Sequence, residues 1–345
     1  MHTSSFLFLS FLLGIDYVSG RPRNAHTRAV PQSPSTSRNL DNPVTGVVEA
    51  IPERNDFEYL SPVQIGTPPQ TLNLAINTGS ADLQNHTWPI HYGDGSTASG
   101  TVFRDTVSLG AVTSRYQTVQ SASRISRAFT WDAACPGILG LGFCHGSSVR
   151  PGKALTFMDS VRHEFAQEVF TVELKKGRPG RYGFGYVDRG ARLGRMGYAD
   201  VTPRDAIWRF MMDGVQAGNE TQGKSEGFAA IADTGTSLLL VPRNVVKTYY
   251  GLVEGSGYDV DWSGWVFLCD ARLPDWIFWL RDGYRGTVPG SYMVYSRMNG
   301  TRCFGGMQRP ESIPFAILGD VLLKAQFVVF DFGKRVGFAS KVLTS

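Results

Sequence analysis

Two short stretches of this 345-residue chain carry residue types suited to acid–base chemistry, in matching surroundings. The first is Leu74-Ala75-Ile76-Asn77-Thr78-Gly79-Ser80-Ala81-Asp82-Leu83, and the second is Ala230-Ile231-Ala232-Asp233-Thr234-Gly235-Thr236-Ser237-Leu238-Leu239. Each reads as an apolar strand, then an acid or amide, then Thr-Gly-Ser or Thr-Gly-Thr. A tight turn after a strand presents the first of these residues at a surface, and glycine lets a partner loop come close. The hydroxyls can orient the neighbouring group by hydrogen bonding. Two such loops face to face would juxtapose two carboxyls, which cannot both ionise and so share one proton. The ionised member activates a water while the protonated member polarises a carbonyl. Here one position is the carboxylate of Asp233 and the other the amide of Asn77. Asparagine nearly matches a protonated aspartate in shape, but it neither ionises nor exchanges a proton with a partner.

Strands must position these loops, and the pattern supplies them. Tyr59–Gly66 and Thr71–Ile76 read as two strands joined by the turn Thr67-Pro68-Pro69-Gln70. Gly93-Asp94-Gly95-Ser96 follows Trp88–Tyr92 as a hairpin signal. Strands are also expected at Thr101–Leu109, Arg181–Tyr186, 228–232, Trp265–Cys269, Ile277–Leu280, Met293–Tyr295 and Phe327–Phe330, with helices over Ala154–Phe165 and Pro242–Gly251. Many short strands with Gly and Pro turns predict an all-β architecture. The two motifs lie 156 positions apart, and each is followed by an Ile-Leu-Gly run, so the halves repeat on the scale of a lobe. Asn77 precedes Leu139 by 62 positions, whereas Asp233 precedes Leu318 by 85. The first half is thus 23 residues short, and the passage from Leu83-Gln84-Asn85 into His86-Thr87-Trp88 is where the deficit is expected.

Composition bounds the alternatives. A net charge of +4 with scattered arginines argues against nucleic-acid binding. The apolar run Phe6–Leu13 is too short to span a bilayer and fits a signal peptide over 1–20 with Val18-Ser19-Gly20 at its end, a buried first strand being the alternative. Residues 21–43, rich in Pro, Ser and Arg, read as a short pro-segment or linker. Sequons at Asn85, Asn219 and Asn299 suit a secretory route, to the exterior or to a vacuole. Cys135, Cys144, Cys269 and Cys303 contain no Cys-x-x-Cys pair, which leaves no zinc or redox signal. His163-Glu164 lacks the second histidine of a zinc-protease helix, and no Gly-x-Ser-x-Gly points to a serine hydrolase.

Several further stretches join the two motifs: Tyr92-Gly93-Asp94-Gly95-Ser96, Gly137–Gly142, Val266-Phe267-Leu268-Cys269, Cys303-Phe304-Gly305-Gly306 and Ile317-Leu318-Gly319-Asp320. Together they resemble the pepsin-like aspartic proteases, most closely the fungal secreted group that includes penicillopepsin and aspergillopepsin. The resemblance runs from about Val44 to Lys341, apart from the gap after Gln84. It implies a bilobal β fold with a central cleft, an N-terminal β lobe over 44–200 (here shortened) and a C-terminal β lobe over 201–345. It also implies active-site loops formed by Thr78, Gly79, Ser80, Thr234, Gly235 and Thr236, a substrate-binding flap at Tyr92, Gly93 and Asp94, and a Cys269–Cys303 disulfide. The expected activity is endopeptidase hydrolysis in acid by a monomer without metal or cofactor, on a peptide or protein in the cleft.

The chain departs from that pattern at several points. Asn77 stands at the first catalytic aspartate, leaving Asp233 as the retained one. Gln84 replaces the tryptophan implied to hold the flap tyrosine. The segment after it is missing, the pro-segment is short, and the pI near 8.8 is basic for such a protease. The expected activity is therefore impaired or absent. The alternative is a non-proteolytic protein that binds a peptide or small molecule, or that uses Asp233 alone as general acid or base in fungal metabolite synthesis.

Overall fold

The computed structural model describes residues 43–53, 56–80, 97–126, 135–143, 154–202, 207–218, 225–298, 300–310 and 313–344, together with the backbone of 88–91. The expected signal peptide, most of the expected pro-segment or linker, the expected flap residues Tyr92, Gly93 and Asp94, the sequon asparagines Asn85, Asn219 and Asn299, and Cys144 lie outside the described residues.

The fold is all-β and bilobal, and one sheet carries strands from both halves of the chain. Its middle strand, Gly46–Glu53, pairs antiparallel with Arg178–Phe184 and, further along, with Glu58–Ile65. Val169–Lys175, Gln326–Asp331, Arg335–Ser340 and Leu193–Asp200 follow in order on the far side. Val169–Lys175 is buried over six successive residues, as a strand covered on both faces must be. The aromatic residues behind it explain that burial. Phe170 stacks on Phe330 at 4.5 Å, and Trp208 meets Phe330 edge-on at 5.2 Å. The indole N–H of Trp208 donates to Leu141 O at 3.1 Å, tying this core to the Gly137–Gly142 run.

The strands that deliver the two motifs are built alike. Glu58–Ile65 turns at Gly66, whose φ of +98° favours glycine, and Gln70–Asn77 returns antiparallel to it. Gln70–Asn77 then pairs in parallel with Ile138–Gly140, with Ile76 opposite Leu139. In the second half Ala229–Ala232 pairs in parallel with Ala316–Leu318, with Ala232 opposite Leu318. The residue before each motif therefore lies opposite the leucine of the Ile-Leu-Gly run, the same two leucines between which the 62- and 85-residue spacings were counted.

In the first half Trp88–His91 pairs antiparallel with Thr97–Gly100, so a hairpin stem flanks residues 92–96. The Cys269–Cys303 disulfide is formed, with an S–S length of 2.03 Å. It joins the Gly264–Leu268 and Arg302–Gly305 strands, which are neighbours in one sheet. The expected helix over Pro242–Gly251 is Arg243–Tyr250. The one expected over Ala154–Phe165 is shorter: Phe157–Val161 is α-helical and continues as a 3-10 turn over Arg162–Glu164. Its start is fixed by Thr156, whose side chain accepts from Asp159 N–H at 3.1 Å, which leaves Ala154 and Leu155 outside the helix. Among the described residues no helix is long and apolar enough to cross a membrane.

Candidate active site

The two motif turns meet in the interior and lock by a reciprocal set of hydrogen bonds. Thr78 N–H donates to Thr234 Oγ1 at 3.2 Å, and Thr234 N–H donates to Thr78 Oγ1 at 3.0 Å. Each hydroxyl then donates to a carbonyl of the opposite strand: Thr78 Oγ1 to Ala232 O at 2.9 Å, and Thr234 Oγ1 to Ile76 O. All four groups are buried, so each bond satisfies a donor or acceptor that water does not reach. The Ile-Leu-Gly runs anchor the turns from behind. Leu141 N–H donates to Asn77 O and Gly142 N–H to Ser80 O, while Asp233 N–H donates to Leu318 O and Asp320 N–H to Thr236 O.

Asn77 and Asp233 project from this lock in equivalent ways. Gly79 N–H donates to Asn77 Oδ1 at 2.7 Å, and Gly235 N–H donates to Asp233 Oδ1 at 3.0 Å. Each side chain also lies over the glycine of the other turn. A Cβ added at Gly79 would stand 2.9 Å from Asp233 Oδ1, and one added at Gly235 would stand 2.4 Å from Asn77 Nδ2. These two positions thus require glycine for lack of space. Both Asn77 and Asp233 are almost wholly buried among the described residues.

Asp233 also accepts from the Thr236 hydroxyl, which donates to Oδ2 at 2.7 Å. Burial pushes its carboxyl up to about 6, against the opposing effect of the hydrogen bonds from Thr236, Gly235 N–H and Gly79 N–H. Asn77 adds no charge to this balance. The site therefore has one titratable group where two facing carboxyls would be coupled.

A second acidic group lies behind the pair. Asp320 is fully buried, and its Oδ1 has no hydrogen-bond partner among the described residues. Burial holds its carboxyl well above the usual range, Lys324 opposes this, and the charges of Asp233, Asp56 and Glu58 add to it. Lys324 Nζ is 3.4 Å from Asp56 Oδ2, and Asp56 accepts Gly177 N–H on both oxygens, at 3.0 and 2.9 Å. The sequence marks Asp320 through its place after Ile-Leu-Gly. It offers no sign of the Asp56–Lys324 pair, whose members are 268 positions apart. Cys135 is a half-buried free thiol whose Sγ donates to Gly137 O at 3.3 Å, and burial pushes it up to about 12. Among the described residues no group of three His, Cys, Asp or Glu side chains is placed to hold a metal ion.

Comparison with known proteins agrees with this architecture. The family model for eukaryotic aspartyl protease matches residues 58–84 and 83–341, two stretches that meet at Leu83 and Gln84. The chain is 41% identical over 324 residues to penicillopepsin-1 of Penicillium janthinellum, spanning 86% of this chain and 98% of that one. It is 39% identical over 325 residues to aspergillopepsin-1 of Aspergillus oryzae, spanning 86% and 82%. The crystal structure of the aspartic proteinase from Irpex lacteus shares the fold, with a TM-score of 0.75 at 22% identity over 88% of this chain and 99% of that one. With a family match across most of its length and relatives near 40% identity, this chain belongs to the eukaryotic aspartyl protease family.

Proposed function

We propose that this chain is an aspartic endopeptidase by ancestry whose peptide-bond hydrolysis is impaired to the point of inactivity, on a scaffold that still receives a peptide. The observation that carries this reading is Asn77 in the position that faces Asp233 across the two glycines. A shared proton needs two titratable groups, and acid–base catalysis of this kind contributes about 10²–10⁴ in rate. Asp233 is the retained catalytic carboxylate. Thr78, Gly79, Ser80, Thr234, Gly235 and Thr236 form the loops around it, and Tyr92, Gly93 and Asp94 the flap.

The break in the family match at Leu83–Gln84 supports a missing segment at that point in a shortened N-terminal lobe. The boundaries that go with this reading are a signal peptide over 1–20, a short pro-segment or linker over 21–43, and lobes over 44–200 and 201–345. They imply secretion, to the exterior or to a vacuole, as a monomer glycosylated at Asn85, Asn219 and Asn299.

A second reading has one observation in its favour. A buried carboxyl pushed up to about 6 suits a lone general acid or base near neutrality, so Asp233 could act on a small molecule without a partner. Acid-pH hydrolysis of an unfolded protein separates the readings from full activity, with and without a statine-type inhibitor, beside calorimetric binding of that inhibitor. The proposal expects binding and no inhibitor-sensitive cleavage. Clear inhibitor-sensitive cleavage by the chain with Asn77 confirmed intact by mass would overturn it, and binding of neither peptide nor inhibitor would favour the small-molecule reading.

A further inference from the structure

The residue that disables the pair is itself an amide, the functional group that this family's chemistry hydrolyses. Its surroundings are arranged for that reaction. Asn77 Oδ1 accepts the Gly79 N–H at 2.7 Å, where a donor would stabilise negative charge developing on that oxygen. The Asp233 carboxylate borders the same glycine, since a Cβ at Gly79 would stand 2.9 Å from Oδ1 and 3.1 Å from Oδ2. From the other side, a Cβ at Gly235 would stand 2.4 Å from Asn77 Nδ2 and 2.5 Å from Cγ. The amide and the carboxylate thus both border Gly79 and Gly235, and the reciprocal Thr78 and Thr234 bonds hold both loops in place.

We propose that Asn77 is a self-modification site: its side-chain amide is hydrolysed within the folded protein, with Asp233 as general base, leaving an aspartate at position 77. The inference rests on the reading that Asn77 and Asp233 hold the two facing positions of the centre. A solvent water adds to Cγ and gives a proton to Asp233, while the carbonyl π electrons pass to Oδ1 against the Gly79 N–H. Collapse of this adduct breaks the Cγ–Nδ2 bond. Asp233 returns the proton to the departing nitrogen, which leaves as ammonia. One water is consumed, one ammonia is released, and nothing is oxidised or reduced.

The ordinary route of asparagine deamidation is closed here. That route needs the backbone nitrogen of the next residue to attack Cγ. The N–H of Thr78 is committed to Thr234 Oγ1, and Thr78 is β-branched and fully buried. The product is therefore aspartate alone, without isoaspartate. The reaction adds the missing titratable group, so the Asn77 form is the latent state of the pair. Because the base must be ionised, conversion speeds up as pH rises through about 6.

The test is peptide mass mapping of the full chain, purified with Asn77 intact and incubated at pH 5 and pH 7, with ammonia release and isoaspartate content measured alongside. The urea-unfolded chain is the reference. Expected are conversion at Asn77 that is faster at pH 7, yields aspartate only, and slows at least about 100-fold in Asp233→Ala. An unchanged Asn77 would overturn the proposal, as would an isoaspartate mixture like that of the unfolded chain, or an equal rate in Asp233→Ala. The isoaspartate readout needs no variant, so a poorly folded Asp233→Ala leaves the proposal testable. Conversion without proteolysis by Asn77→Asp would count against the endopeptidase reading alone. Proteolysis by Asn77→Asp without spontaneous conversion would count against this inference alone.

Discussion

The turns at Asn77 and Asp233 are near copies that differ in whether the central side chain titrates. Each receives an N–H from the glycine two residues on, at 2.7 and 3.0 Å, each lies over the other's glycine, and each threonine hydroxyl spans to the opposite strand. The scaffold asks of the first position only an acceptor oxygen, and an amide supplies one as well as a carboxylate does. The chemistry asks for a proton that can come and go, and an amide has none to offer. The comparison therefore separates what the fold needs from what catalysis needs. It explains how the architecture persists while the proton-sharing pair does not.

The first way to break this comparison is at the glycines. In Gly235→Ala the new Cβ overlaps Asn77, whereas in Gly79→Ala it meets the Asp233 carboxyl at a tight 2.9 Å. Gly235→Ala should cost more than about 3 kcal/mol and Gly79→Ala less, a ranking that denaturant unfolding checks.

Titration sharpens the comparison next. The Asp233 carboxyl is raised to about 6, so the folded chain holds its proton more tightly than the unfolded one does. The stability this provides is complete below the unfolded value near 4 and is lost as pH rises through about 6. Asp233→Asn should leave stability at pH 4 almost unchanged and raise it above pH 6 by on the order of 3 kcal/mol, read as unfolding temperature against pH. A substitution at Asn77 that keeps an acceptor oxygen but does not ionise, such as Asn77→Gln, should introduce no such pH dependence.

The threonines test the symmetry of the lock. Thr78→Val and Thr234→Val each remove a hydroxyl that both donates and accepts, leaving a buried carbonyl and a buried N–H without it. Each should destabilise by about 2 kcal/mol in calorimetry, and by similar amounts. A large inequality would show that the two halves do not share the lock evenly. The smallest effect is expected at Thr236→Val, which removes the hydroxyl bond to Asp233 Oδ2. Carboxyl NMR should then show the Asp233 titration moved upward by about one pH unit, equivalent to about 1.4 kcal/mol.

Much of this arrangement was legible in the sequence because it is local and repeated. The two motif strands and the Arg243–Tyr250 helix follow from apolar runs ended by turn residues, whereas the sequence marked the Ile-Leu-Gly runs without indicating that they pair in parallel with those strands. The Cys269–Cys303 bridge followed from the family resemblance and is present. The Phe157–Val161 helix came out shorter than the apolar pattern suggested because the Thr156 cap decides where it begins. The buried Asp56–Lys324 pair had no sequence signal, since its members come from opposite ends of the chain and meet only through the shared sheet. The unpartnered oxygen of Asp320 was invisible for a similar reason, because burial belongs to the packed structure and leaves no mark on the local sequence.

The central claim, that one missing titratable group separates this centre from a working pair, is tested most directly by peptide hydrolysis at acid pH. The chains compared are Asn77→Asp and the unmodified chain, the latter with Asn77 confirmed intact by mass. The account predicts a gain in kcat/KM of at least about 100-fold, sensitive to a statine-type inhibitor. Equal rates in the two chains, whether both active or both inactive, would contradict it.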